Sequence, residues 1–366
     1  MDDERMLLLS LSQIEGLGNK AKKALLFHFG SAIRVFSCTE REVKGLLFLN
    51  DKEKEALIRG RNAPVSKELL ESLKSCGISF VTVGDSDYPS LLLDVFNPPF
   101  IIFYRGTLPH EDESCVAMVG ARRCSAYGKK AAYSLSSLLA KNGISVVSGL
   151  ALGIDGFSHE GALSSGGRTY AFLGCGVDIC YPSSHEELFE RIIENGAVMS
   201  EFPPGTKPLK NNFPVRNRLI SGLSERVVIV EAAEKSGSLI TADFALEQGR
   251  EIYAFPGRYD DPLSKGTNRL IYQGAGVILS PEEFVSDLLS IKDTALSFTG
   301  GTVKGKTRNL EDDEAIVYSC LDFYPKGFES LSKETGLSML PLMSTMMKLC
   351  DKGLALEVFK NEYVKI

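Results

Sequence analysis

Hydrophobic positions divide the chain into stretches of different period. Over residues 1–76 apolar side chains recur at helical spacing, through Leu7, Leu8 and Leu11 and again through Leu25, Leu26 and Phe29. That spacing predicts a small module of short helices. From 77 to 290 the pattern changes. Short β-branched runs at Ile78–Val83, Val116–Val119, Ile144–Val147, Thr169–Leu173, Ala197–Met199, Val227–Val230, Glu251–Phe255 and Val277–Leu279 are mostly separated by helical segments. Ala131, Leu135, Leu138 and Leu139 form one apolar stripe behind Ser125, a residue type that caps helices. Strands without a polar face, spaced by helices, predict a mainly parallel sheet covered on both sides, hence a doubly wound α/β fold. Residues 291–308, with Gly300, Gly301 and Gly305 and little apolar content, read as a linker. Residues 309–366 give three helical runs and a β-rich end, Leu354–Phe359 and Tyr363–Ile366, an order similar to a winged helix.

In an open parallel sheet ligands bind beyond the carboxyl ends of the strands. Here those ends read Gly120-Ala121-Arg122-Arg123, Ser148-Gly149 to Asp155, Gly174-Cys175-Gly176, Ser236-Gly237-Ser238 to Thr241, and Phe255-Pro256-Gly257. Glycine lets backbone approach a ligand, and helix N-termini offer free amides and a positive dipole end. Such turns gathered on one edge suit phosphates. A single turn of this kind is equally explained by strand–helix packing. The stretch from Phe202 to Leu223 opens with Pro203, Pro204, Gly205 and Pro208 and reads as an extended loop. It carries Lys207, Lys210, Phe213, Arg216, Asn217 and Arg218. Cations beside an aromatic ring are how single-strand binders track a backbone and stack a base. The structural alternative has Phe213 plugging the core and Arg216 and Arg218 capping carboxylates. Near the N-terminus, Gly16-Leu17-Gly18 followed by Lys20, Lys22 and Lys23 resembles a helix-hairpin-helix turn, or is simply a tight turn.

Other chemistry is sparse. Gly174-x-Gly176 lacks the third glycine and the acidic ribose ligand of a dinucleotide fingerprint, and no Walker A pattern occurs, so no cofactor is expected. Asp155 and His159 share a helix face at four-residue spacing, with no nucleophile or third ligand beside them. A hydrogen bond bracing the Ser148–Gly153 turn is the expected role. Neither a catalytic residue nor a metal site is expected. The eight cysteines show no C-x-x-C pair, consistent with thiols in a reducing cytosol. Asp2, Asp3, Glu4 and Arg5 precede a short apolar run, unlike a secretory leader, and no run is long enough for a bilayer; no membrane association and a cytoplasmic location are expected. The net charge of −6 confines any nucleic-acid contact to local basic surface. Residues 309–366 hold six Lys against ten Asp and Glu, and the helix near Pro341–Cys350 offers only Lys348, which argues against groove reading there. Met339, Met343, Met346 and Met347 on that helix suit partner binding or an ordinary core.

The stretches VGARRCSAYG (119–128), SGLALGIDGFSHEGAL (148–163), FPVRNRLISGLS (213–224), EKSGSLITA (234–242), FPG (255–257) and KGTN (265–268) occur together and in order in a pattern that resembles the DprA/Smf family. The resemblance implies a Rossmann-like domain over 77–290. A helical SAM or helix-hairpin-helix-like domain would lie before it, at 1–76, and a winged-helix-like one after it, at 309–366. It implies a non-enzymatic binder of single-stranded DNA in natural transformation, one that protects the strand, helps load RecA recombinase and forms a homodimer. Carried over residue by residue, the DNA site would use Arg122, Lys210 and Phe213, lined or braced by Arg216, Asn217 and Arg218. Gly149, Gly237 and Ser238 would contact phosphate. The competing enzyme reading is a nucleoside-monophosphate hydrolase of the lysine-decarboxylase-like group. That chemistry needs a glutamate in the turn where Ser236–Thr241 stands, with Glu231 and Glu247 as the nearest substitutes.

Overall fold

A computed structural model describes residues 3–62, 65, 67–299, 312–321, 326–352, 354–359 and 362–365. It contains two compact units, Met1–Asp287 and Leu288–Ile366.

The first unit opens with six helices: α1 (Asp3–Ser12), α2 (Asn19–Phe29), α3 (Ala32–Ser37), α4 (Glu40–Gly45), α5 (Asp51–Gly60) and α6 (Lys67–Ser75). Their limits are set by local chemistry. Thr39 with Glu42, and Asn50 with Glu53, form reciprocal capping boxes at the starts of α4 and α5. In the turn between α1 and α2, Gly16 takes φ +85°, a conformation glycine adopts freely. Lys22 points inward there. Its Nζ donates to the Ser12 carbonyl at 2.6 Å, and burial lowers its pKa to about 8. Of the three lysines that follow the glycine turn, Lys22 therefore closes the end of α1. Leu9, Leu11, Leu25 and Leu57 share one apolar cluster with Phe80, Ile101 and Phe103 of the sheet and with Phe100, the residue before β2. Arg5 also bridges to the Asp85 carboxylate at 3.0 Å and to the Phe80 carbonyl at 2.6 Å. The boundary expected at 76 is thus no break in packing.

Nine strands follow: β1 (Ser79–Thr82), β2 (Ile101–Gly106), β3 (Cys115–Val119), β4 (Ser145–Ser148), β5 (Thr169–Phe172), β6 (Gly196–Ser200), β7 (Arg226–Ile229), β8 (Glu251–Ala254) and β9 (Gly276–Val277). They form one sheet in the order β1-β2-β6-β5-β4-β3-β7-β8-β9. From β6 to β9 all pairs are parallel, while β1–β2 and β2–β6 are antiparallel. Helices α7 (Ala126–Lys141), α8 (Ile154–Ser164), α9 (Glu186–Glu194), α10 (Asn212–Gly222), α11 (Gly237–Glu247), α12 (Lys265–Tyr272) and α13 (Pro281–Thr299) complete the set. This is a Rossmann-like core. Winding starts at β3, runs outward through β4 to β6, then returns across the sheet to β7.

Three expectations change. Strand β2 was not anticipated; its short Ile101-Ile102-Phe103 run lies just after Pro98-Pro99, and no crossover helix separates it from β1, so the pair is antiparallel. The loop expected over Phe202–Leu223 ends early, because Asn212–Gly222 is helical. Pro214 sits in the first turn of α10, where the missing N–H removes no helical bond. Residues 291–299 of the expected linker continue α13, and 300–308 lie outside the described residues.

In the second unit, α14 (Asp312–Cys320), β10 (Lys326–Gly327), α15 (Phe328–Thr335), α16 (Met339–Asp351), β11 (Ala355–Phe359) and β12 (Glu362–Lys365) follow in order. Their antiparallel sheet runs β10-β12-β11. Val317, Leu331, Leu342, Met346 and Leu349 form the core. Met339, Met343 and Met347 are exposed, so of the four methionines on α16 only Met346 is a core residue.

Candidate functional site

The parallel strands end on one edge, and the turns leaving them enclose a cavity of about 520 Å³. Its wall comes from Gly120 and Arg122 after β3, Ala151 and Asp155 after β4, and Tyr181 after β5. Pro208, Lys210 and the first turns of α10, then Ser236–Ser238, Ile240 and Thr241 at the start of α11, complete it. The position follows from topology. Strand order reverses between β3 and β7, so their outgoing chains part and leave a crevice.

Arg122, Lys210, Phe213, Arg216, Asn217, Gly237 and Ser238, expected from the sequence, all line this cavity. Arg122 and Lys210 are exposed, and among the described residues neither has a carboxylate within ion-pair distance. Arg216 is only 3% exposed. Its Nη1 donates to the Gly149 carbonyl at 2.8 Å and to that of Phe172. Desolvation pulls its pKa down to about 10, against the opposing charge of Asp155. Asp155 is buried too; burial raises its pKa while Arg216 works the other way, and its carboxylate accepts the Gly149 N–H at 3.1 Å. Both backbone groups of Gly149 are therefore engaged within the protein. Its glycine is demanded by packing, since an added Cβ would lie 2.6 Å from the Arg216 guanidinium.

Arg218 does not line the cavity. It is buried, and its Nη2 meets Glu201 at 2.6 Å, the carboxylate-capping role of the structural alternative. Burial raises the Glu201 pKa, with Arg218 countering it. Asn217 ties α10 to α11 by donating to the Gly237 carbonyl at 3.4 Å, and its own Oδ1 accepts from Arg216 Nε at 3.2 Å. At the mouth of α11, Ser236 and Ser238 hydroxyls lie 2.8 Å apart, and a Cβ on Gly237 would meet nothing within 4 Å. Ser236 Oγ accepts the Ser238 N–H at 3.4 Å, while the exposed backbone of Gly237 is open to a ligand at a helix end that favours anions.

Phe213 is half-buried rather than a core plug. The Arg122 guanidinium lies 5.5 Å from its ring centroid and the Tyr181 ring 5.6 Å away. Tyr181 had escaped notice in the sequence; its one signal is a Tyr-Pro pair following the Gly174-x-Gly176 turn.

Two acidic expectations also resolve. His159 and Asp155 share a helix face but not a bond. His159 Nδ1 donates to Thr169 Oγ1 at 2.7 Å, whose hydroxyl donates to the Val146 carbonyl at 2.8 Å; of the two, it is Asp155 that braces the 148–153 turn, together with Arg216. Glu231 is buried and accepts the Ser125 N–H at 2.9 Å and the Ser125 hydroxyl, holding the turn that carries Arg122.

A basic, amide-rich crevice at the switch point of a doubly wound sheet defines a class: Rossmann-like proteins whose strand-edge turns are shaped for anions. The chain belongs to the DprA/Smf family; the family described as DNA recombination-mediator protein A matches residues 79–289. Protein Smf of Synechocystis sp. is 37% identical over 297 residues, covering 79% of this chain and 74% of its own length. The solved DNA processing protein A (DprA) from Streptococcus pneumoniae aligns with a TM-score of 0.65 at 30% identity, over 78% of this chain and 98% of that one. DNA processing protein A from Helicobacter pylori, whose structure concerns its single-stranded DNA binding mode, aligns with a TM-score of 0.52 at 32% identity, over 58% of this chain and 96% of that one.

Proposed function

We propose that the switch-point cavity binds single-stranded DNA and that this chain protects the strand and helps load RecA recombinase onto it during natural transformation. The observation that carries the binding reading is the meeting of Arg122 and Lys210, from turns distant in sequence, at one cavity that also holds the open start of α11. Two exposed cations take backbone phosphates, and the adjoining amides take a phosphate oxygen. The Helicobacter pylori relative, described for binding single-stranded DNA, supports the same ligand here. RecA loading, homodimerisation through the Rossmann-like domain, a winged-helix role for the second unit and a cytoplasmic location rest on the family resemblance.

Binding without catalysis fits the cavity better than nucleotide hydrolysis. Asp155 is the one carboxylate among the lining residues, and it is buried against Gly149 and Arg216. Glu231 is committed to Ser125. Neither is available to a sugar. Fluorescence anisotropy with single- and double-stranded oligonucleotides of equal length, over a salt series, tests the proposal. Tighter binding of oligo-dT than of duplex is expected, with no free base released from AMP. Equal affinity for both, or release of adenine, rejects it.

A further inference from the structure

The ring best placed to meet a base is not the one anticipated. Phe213 is enclosed. The Arg122 guanidinium lies 5.5 Å from its centroid, that of Arg216 5.9 Å, and Gly174 approaches so closely that a Cβ there would lie 2.9 Å from a ring carbon. Tyr181 covers it further, at 5.6 Å between centroids and a 41° tilt. A base slipped between the two rings needs about 7 Å, twice an ordinary carbon–carbon contact, so the gap is too narrow. Tyr181 itself lines the cavity and is 43% exposed.

Building on the single-strand reading of this cavity, we propose that Tyr181 is the platform on which an unpaired base of the bound strand stacks, with Phe213 as the ring that backs it. Arg122 and Lys210 hold flanking phosphates while the base lies on the outer face of the tyrosine. Such stacking tolerates any base, because each has a π-face. It also discriminates by strandedness, since a base inside a duplex has both faces covered. Tyr181 is thus a specificity-determining residue for single strands, and the cations are not.

The test uses the full chain and its Tyr181→Ala, Tyr181→Leu and Tyr181→Phe variants, with oligo-dT, an abasic oligonucleotide of the same length, and duplex. Alanine and leucine are expected to weaken oligo-dT binding roughly 5- to 150-fold, while phenylalanine stays close to the parent. Abasic and duplex affinities should match across all four proteins. A leucine variant that binds oligo-dT like the parent overturns the inference, as do equal losses on abasic and dT strands. If the parent itself does not prefer oligo-dT to duplex, the single-strand reading fails and this inference with it. Because the chain has no tryptophan, Tyr181→Trp supplies one indole whose emission reports stacking directly. Quenching by oligo-dT but not by the abasic strand is expected; an indole unchanged at saturating oligo-dT counts against the platform.

Discussion

Two arginines that line one cavity do opposite jobs here, and burial decides which. Arg216 sits among carbonyls beside Asp155, while Arg122 reaches solvent at the cavity rim. Removing Arg216 leaves a buried carboxylate without its opposing charge and two carbonyls without a donor. Arg216→Ala should therefore lower the unfolding free energy by about 3–5 kcal/mol in urea denaturation; an unchanged midpoint would show the pair to be dispensable. Arg122→Ala and Lys210→Ala should leave that midpoint in place. Each should instead flatten the slope of log affinity against log salt by about 0.7, the single-strand value per phosphate contact. Unaltered slopes would remove both residues from the DNA path.

At the scale of elements, α8 shows how one helix serves two networks. Asp155 reaches back to the β4 turn, and His159, one turn on, reaches Thr169 on β5. Burial lowers the His159 pKa to about 3 from its usual 6.5. Below pH 6.5 the unfolded chain takes up a proton that the folded chain refuses until about pH 3. Stability is then fully present above 6.5 and falls as pH drops, at up to about 1.4 kcal/mol per unit. Between pH 7 and 5.5 the parent should lose about 1 kcal/mol more than a His159→Asn variant, whose amide cannot titrate. Parallel pH profiles would place the lost stability elsewhere. Helix α10 gives the opposite lesson about legibility. Its Pro214 resembles a loop residue in isolation, and it is compatible with a helix only because it falls in the first turn.

Across the whole molecule, a net charge of −6 leaves the strand-edge cavity as local basic surface on an acidic body. Residues 309–366 carry ten acidic side chains against six lysines, and α16 presents exposed Met339, Met343 and Met347. Truncation before Asn309 should therefore leave oligo-dT affinity within a few-fold of the full chain in gel shift. Collapse of binding on truncation would assign that region a direct share in the strand.

Apart from β2 and α10, the order of strands, turns and helices in the first unit was determined by sequence alone, because periodicity, glycine and capping residues act within a few positions of chain. The run Val116–Val119 followed by Gly120 and Ser125 contains its own strand, turn and helix cap, and the same logic placed the cavity on the carboxyl edge. Tertiary structure alone decided which charges turn outward. Arg122 and Arg216 look alike in a sequence, and only the crossing of β3, β4 and α10 makes one a rim cation and the other a buried brace. It likewise inserted β2 beside β6, turned Lys22 inward, and set Tyr181 against Phe213. Those outcomes depend on burial against residues tens of positions away, and desolvation is a property of the assembled neighbourhood that no local pattern encodes.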